Sequence, residues 1–383
     1  MKYFLAILLV FLTLIGGFWL GKSGEGKINP QEGEVSRVDI YYLKADGIYH
    51  LNSENEGEEK LTEANVSIQQ FDQRSQISLA GAERDLLIFE DQDQGLMALN
   101  LVTRQLQVID SQANKVIAHN FVVSPDLLKV AFIKSIALDA GFKNELWLWD
   151  AQTGEKEKFL QEPDLGEDPE GVFYFLDLNG WLNNDRLLVG RSFEGVSYCP
   201  FTPGVDHSLS QQCSDFGKEG IGIFERILAT SENGTSYGIR HVFREINSDT
   251  SQQGFFEQVS GVKSYLSGDK PTSLITGKDQ LYFIKGQNPD YDLYRESDLY
   301  SLDFEGDVLK RLTHDSTSVA TKNILHHSNK GRFLSWHNFD ISKIVEREAD
   351  GLYDVASAWV YDLELSKYYV ISNQAVSPLV VER

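Results

Sequence analysis

From Val35 onward the chain shows hardly any helical period. Short apolar runs take its place, separated by Gly, Asn, Asp and Pro. The densest of these runs recur as Tyr41-Tyr42-Leu43, Leu86-Leu87-Ile88-Phe89, Val130-Ala131-Phe132-Ile133, Leu187-Leu188-Val189, Tyr237-Gly238-Ile239, Leu281-Tyr282-Phe283-Ile284 and Phe333-Leu334-Ser335-Trp336. Their first residues fall between 44 and 57 positions apart. That is the period of a repeating unit of four short strands.

The third repeat has the clearest internal order. An inner strand, Phe121-Val122-Val123, meets the turn Ser124-Pro125-Asp126, and the dense run at 130–133 follows. Next come Glu145-Leu146-Trp147-Leu148-Trp149-Asp150, a turn at Gln152-Thr153-Gly154, and an outer strand over 156–160. Proline presets φ for a turn and aspartate bonds back to the backbone, so Ser-Pro-Asp reads as a tight turn. The sixth repeat has Asp298-Leu299-Tyr300-Ser301-Leu302-Asp303 and then Leu309 to Thr313; the seventh has Ser328-Asn329-Lys330-Gly331 and Trp359-Val360-Tyr361-Asp362. The pattern predicts an all-β fold, a β-propeller of four-stranded antiparallel blades over residues 35–383. Seven blades are expected. Six is the alternative, because the outer half of the fifth repeat is irregular.

At these residues the chain resembles the TolB-like propeller repeat, which runs Ser-Pro-Asp-Gly, an apolar strand, a Leu-Tyr-x-x-Asp strand and an Arg-Leu-Thr ending. Arg311-Leu312-Thr313 and Lys60-Leu61-Thr62 match that ending. The same repeat builds the N-terminal propellers of dipeptidyl peptidase IV and prolyl oligopeptidases. Leu148-Trp149-Asp150 also approaches the WD type, whose Gly-His element is missing. The resemblance implies a fold and little else, since propellers host unrelated functions. No hydrolase domain of the peptidase kind is expected after the last blade.

At the other end, Lys2 precedes an uncharged apolar run from Tyr3 to Leu20. At 1.5 Å per residue it spans roughly 27 Å, about the thickness of a hydrocarbon core. With Trp19 at −3, Gly21 is a poor cleavage position, so residues 1–21 read as one uncleaved transmembrane anchor, with a signal peptide as the alternative. Residues 22–34 form a flexible tether. The propeller is expected outside the cytoplasm, in the periplasm or at the cell surface. One strand is then missing at the start, because only the tether precedes the first dense run. The tail from Ala375 to Val381 is apolar and β-branched, and it is expected to supply that inner strand and close the ring. Pro378 must then sit at a bulge or turn its nitrogen away from the ladder.

The net charge of −22 argues against nucleic acid, whose phosphates need clustered Lys and Arg. The longest connections fall on one face of a propeller: 134–144, 161–171, 191–222, 241–256, 285–297 and 337–356. Long loops cost closure entropy and are usually kept for function. Two of them are acidic, the first with Asp164, Glu167 and Asp168 among Glu162 and Glu170. The second holds Asp290, Tyr291, Asp292, Tyr294 and Arg295, followed by Glu296 and Asp298. These are the candidate binding residues for a protein or polysaccharide partner. Cys199 and Cys213 are the only cysteines and are expected to pair outside the cell. No metal site is expected: Asp91-Gln92-Asp93-Gln94-Gly95 has its glycine one place early for a calcium loop, so it reads as a hairpin turn. His326, His327 and His337 fall in one repeat; His327 and His337 could face the channel, but histidines in strands are more often packed or surface residues. No nucleophile elbow, His-Glu-x-x-His or phosphate loop is present, and no cofactor is expected. The expected function is a non-enzymatic, membrane-tethered binding or scaffold module. The alternative is a carbohydrate-active hydrolase or lyase with two carboxylates on the long-loop face.

Overall fold

The computed structural model describes residues 38–52, 57–66, 77–112, 116–139, 142–161, 175–192, 196–206, 222–230, 236–243, 252–259, 262–267, 271–277, 280–286, 297–303, 309–313, 320–340 and 356–383. Every regular element among them is a strand. In chain order they are β1 (Val38–Lys44), β2 (Gly47–Asn52), β3 (Glu58–Thr62), β4 (Ile77–Ala80), β5 (Leu86–Asp91), β6 (Gly95–Asn100), β7 (Leu106–Ser111), β8 (Val116–Val123) and β9 (Lys129–Ala137). There follow β10 (Phe142–Asp150), β11 (Lys156–Gln161), β12 (Phe175–Asn183), β13 (Arg186–Ser192), β14 (Val196–Phe201), β15 (Gly222–Thr230), β16 (Ser236–Phe243), β17 (Gln252–Val259) and β18 (Val262–Ser267). The last are β19 (Pro271–Thr276), β20 (Gln280–Gly286), β21 (Ser297–Asp303), β22 (Leu309–Arg311), β23 (Ala320–His327), β24 (Phe333–Asp340), β25 (Ala356–Asp362), β26 (Lys367–Asn373) and β27 (Val376–Glu382).

Sheets of four antiparallel strands are the repeating unit: β4 to β7, β8 to β11, β19 to β22 and β23 to β26, each in sequence order, and β27-β1-β2-β3. A seven-stranded sheet runs from β12 to β18. It consists of two antiparallel stretches, β12 to β14 and β15 to β18, joined by one parallel pair between Ser197 and Glu225. First strands of successive units touch in a circuit: β27 and β4, β4 and β8, β8 and β12, β12 and β15, β15 and β19, β19 and β23, and β23 back to β27. This is the arrangement of a β-propeller.

The dense apolar runs are the second strands, and burial on both faces explains them. In β5, Leu87 and Phe89 pack in the cluster shared with Tyr41 and Leu43, while Ile88 packs on the opposite side with Phe121 and Phe132. In β1, Tyr41 and Leu43 face one neighbour, while Ile40 and Tyr42 face Phe333 and Val360 on the other. A strand covered on both faces needs no polar alternation. Turns reuse one device. An Asp or Asn near a strand end accepts from two backbone N–H groups just ahead: Asp91 from Asp93 and Gln94, Asn100 from Val102 and Thr103, Asp150 from Gln152 and Thr153, Asp362 from Glu364 and Leu365. Asp91 to Gly95 is therefore a hairpin turn, as its sequence suggests, with Gly95 at φ 103° against the backbone of Asp110 and Gln112.

Ring closure follows the sequence expectation. β27 pairs antiparallel with β1, Ile40 opposite Val380 and Leu43 opposite Val376. The register shifts between Tyr41 and Leu43, so Ser377 and Pro378 form a bulge, and Ser377 takes φ 49°. Pro378 thus lies where the ladder is already interrupted. The neighbouring unit clamps the end of β27. Ser328 Oγ donates to the Glu382 carboxylate at 2.6 Å. The Glu382 N–H donates to Asn329 at 2.7 Å, and Asn329 Nδ2 donates to the Glu382 carbonyl at 2.9 Å. Arg383 donates to Asp39 on β1. The equivalent serine in the third unit, Ser124, spends its hydroxyl on Asp126 of its own turn. In the last unit that turn serine is redirected to hold the closing strand.

Deleting residues 375–383 removes the buried Ala375, Val376 and Val380 and bares the inner edge of β1. The loss of stability is expected to be about 5 kcal/mol or more, at about 1.5–3 kcal/mol per buried aliphatic side chain plus the clamp. Thermal denaturation of the truncated chain checks it: the melting temperature falls steeply, and an unchanged value contradicts the closure.

Candidate functional site

The two acidic connections of the long-loop face lie outside the described residues. Asp164, Glu167 and Asp168 fall between β11 and β12, and Asp290, Tyr291, Asp292, Tyr294 and Arg295 fall between β20 and β21. The flanking strands do fix where each connection leaves. One joins a fourth strand to the next first strand, the other joins a second strand to a third, and in antiparallel units both depart from the same end. Cys199 lies on β14 opposite Val189, and Cys213 lies outside the described residues, as do residues 1–37.

Five loop assignments need correction. Two are 191–222, which contains β14 (Val196–Phe201) paired with β13, and 241–256, which contains the end of β16 and the start of β17. Most of 134–144 is strand: β9 and β10 pair out to Ala137 and Phe142, with Ser135 opposite Asn144. His337 to Asp340 continue β24 and pair with β23. Asp298 is not part of an exposed acidic loop either. It is the second residue of β21 and fully buried. Thr313 Oγ donates to it at 2.9 Å, and Arg311 donates to its other oxygen. The Thr313 hydroxyl also accepts from the Leu299 N–H at 3.0 Å. The Arg-Leu-Thr ending is thus the partner of a buried aspartate, which ties the outer strand to the third. Polar residues continue these strands because their partners lie within the sheet.

Among the described residues, one cluster of titratable groups converges between two units. Asp110, at the end of β7, is buried. His119 Nε2 on β8 lies 2.9 Å from its Oδ2, and Lys134 Nζ on β9 lies 2.8 Å from the same oxygen. Lys156 on β11 donates to Oδ1 and also to the Ile109 carbonyl at 3.1 Å. Glu90 on β5 accepts from the His119 backbone N–H at 2.6 Å, and its Oε1 lies 3.4 Å from His119 Nδ1. Burial opposes charge on Asp110. The bonds from His119, Lys134 and Lys156 outweigh it and hold the carboxyl well below its ordinary range. Burial likewise opposes charge on His119, but Asp110 and Glu90 on either side raise its pKa. Carboxylates on either side of the imidazole favour its protonated form and disfavour a role as general base. The arrangement is a charge-compensated rivet between two units.

A second cluster lies at the ring seam. Asp39 is buried beside β27, with His50 Nε2 at 2.7 Å and Arg383 on its other oxygen. Burial opposes its charge, and those two partners lower its pKa overall. Tyr41 stacks on His50 at 4.9 Å, and burial with the Asp39 charge pushes its hydroxyl up to about 12. Across the seam His337 is buried edge-on to Phe339, and its Nδ1 accepts from the Ser377 N–H at 3.2 Å. Ser335 Oγ donates to the Pro378 carbonyl at 2.6 Å. Burial pushes His337 down to about 3 and His326 to about 4. His337 is a packed residue, and His326 is half-buried. Sequence reasoning missed Asp39, Asp110, His119 and Lys134 as a set. The one local signal is a charged residue set directly beside dense apolar ones, as in Val38-Asp39-Ile40 and Val108-Ile109-Asp110.

No family model and no curated protein matches the chain. Solved structures do. The β-propeller domain of the Trilobed protease from Pyrococcus furiosus is 10% identical at a TM-score of 0.55, over 88% of this chain and 95% of that one. Oligogalacturonate lyase from Vibrio parahaemolyticus is 15% identical at 0.50, over 76% and 79%. A puromycin-hydrolyzing peptidase from Mycobacterium tuberculosis is 13% identical at 0.52; the chain covers 52% of its length. At these identities the likeness is one of fold. The chain is a β-propeller, in keeping with the TolB-like repeat read from the sequence. The Pyrococcus furiosus domain has an open velcro topology; here β27 pairs with β1.

Replacing Asp110 with Ala leaves His119, Lys134 and Lys156 facing one another. About 3–5 kcal/mol of stability is expected to go, as for a broken buried ion pair. The pH signs follow. The contribution of Asp110 is present above its ordinary 3.8 and lost as pH falls through its lowered folded value. That of His119 is complete below its ordinary 6.5 and lost as pH rises through its raised folded value. Melting curves across pH check it: stability declines above pH 6.5, and His119→Gln flattens that decline.

Proposed function

We propose that this protein is a membrane-tethered, extracytoplasmic propeller that acts as a binding or scaffold module for a protein or polymer partner. The run from Tyr3 to Leu20 is the anchor, residues 22–34 are the tether, and the ring outside the membrane has seven blades. The circuit of first strands supports that count. So does the single parallel pair at Ser197 and Glu225, which reads as the contact of two blades within one continuous ladder.

The observation that carries the reading is the common exit of the two acidic connections. The opposite face closes on itself. Its turns at Asp126, Asp150, Asn183 and Asp362 hold their own backbone N–H groups, and the Glu382 clamp lies there. Partner contacts therefore belong to the face bearing Asp164, Glu167, Asp168, Asp290, Tyr291, Asp292, Tyr294 and Arg295. Acidic side chains with two tyrosines and an arginine suit a basic protein surface or a polymer that offers hydroxyls and cations. A Cys199–Cys213 bond would shape a further connection of the same blade region. The chain acts here without a cofactor.

The test is site-specific crosslinking in intact cells, with a photoreactive residue at Tyr291 or, on the opposite face, at Thr153. Adducts from position 291 alone, recovered in the membrane fraction, are the expected result. Adducts from 153 alone, or recovery of the chain in the soluble fraction, contradict it. Turnover of a polysaccharide that is lost in Glu167→Gln or Asp290→Asn would establish the hydrolase or lyase reading instead.

A further inference from the structure

The closing strand is held at its bulge by two side chains of the preceding blade, and one of them titrates. Ser377, at positive φ, directs its N–H to His337 Nδ1, and Ser335 fixes the carbonyl of Pro378 one residue on. A backbone N–H only donates, so Nδ1 of His337 must carry no proton while this bond exists. Protonation there sets two donors against each other in a buried place. We propose that the ring seam is an acid-operated latch, in which proton uptake by His337 removes the acceptor for Ser377 and frees β27 from β1.

The groups around His337 make the response one-sided. Among the described residues the titratable group facing it is His326 on β23, itself a base whose protonation adds like charge. No described carboxylate compensates. Glu382, on β27, is held at the far end by Ser328; Asp362, on β25, is held by Arg332 at 2.7 Å; Asp39, on β1, is taken by His50 and Arg383. The contrast with His119 is informative, because there two carboxylates flank the imidazole and stabilise its charge. One ring thus carries a histidine that needs its proton between two blades and a histidine that must lack it at the seam.

The linkage has a definite sign. The folded value of His337 lies near 3 against an ordinary 6.5, so the opened seam binds the extra proton between those values and is favoured as pH falls. From pH 7 to pH 4.5 His337 alone shifts the opening equilibrium by roughly 50–100-fold. Asp39, with its lowered value, keeps its charge over that range.

Hydrogen exchange of the intact chain at pH 7 and pH 4.5, corrected for intrinsic rates, reads the seam directly. Opening of β27 and β1 is expected to rise at least 50-fold while β5 and β6 serve as an internal reference that moves little. His337→Gln, which offers a carbonyl acceptor that does not titrate, is expected to abolish the rise. Equal changes in β27 and β5, or an unaltered rise in a folded His337→Gln chain, would overturn the latch. Should that variant fail to fold, the comparison of β27 with β5 in the unaltered chain decides alone.

Discussion

The pairing of β27 with β1 is the contact on which the rest of the ring depends. Each blade covers its second strand with the blades on either side, so an unclosed ring would expose both an apolar face and a strand edge. In the first blade the tail strand β27 takes the inner position. Val376 then joins the core between the first two blades, while Ala375 and Val380 join the core between the last blade and the first. One strand thereby completes two cores. The bulge at Ser377 and Pro378 admits a proline into an inner strand, and the Ser328, Asn329 and Glu382 clamp fixes its end.

Three buried carboxylates described inside the ring are each held by cationic groups on neighbouring strands. Asp298 has Thr313 and Arg311 within its own blade. Asp110 is shared between two blades through His119, Lys134 and Lys156. Asp39 joins β1 to the C-terminal residue through Arg383. Such pairs add little net stability over an apolar core, but losing one partner strands the others at high cost. They fix which blade edge sits against which, and that registry suits a ring assembled from similar repeats.

Much of this was legible in the sequence. Dense runs such as Leu86-Leu87-Ile88-Phe89 show strands buried on both faces, and Asp and Asn at strand ends show the turns. The tail was legible because Val376 to Val381 is apolar with no other place to go. Strand length was read too short where polar residues continue a ladder, as at Lys134 to Ala137 and His337 to Asp340, because hydrogen bonding to the adjacent strand is invisible to local pattern. Asp298 belongs to the strand that its repeat predicts, not to the acidic loop before it. The seam and rivet clusters were hidden by distance along the chain. Lys156 and Asp110 are 46 positions apart, and Arg383 and Asp39 are 344 apart. No spacing rule connects residues that only the folded ring brings together.

A cysteine pair across the closure tests this account most directly. In a chain with Cys199 and Cys213 replaced by Ser, Ile40→Cys and Val380→Cys lie opposite each other in the ladder. Mild oxidation is predicted to join them within one chain, giving a faster-migrating monomer on a non-reducing gel. Two free thiols, or crosslinks between chains only, would contradict ring closure by β27.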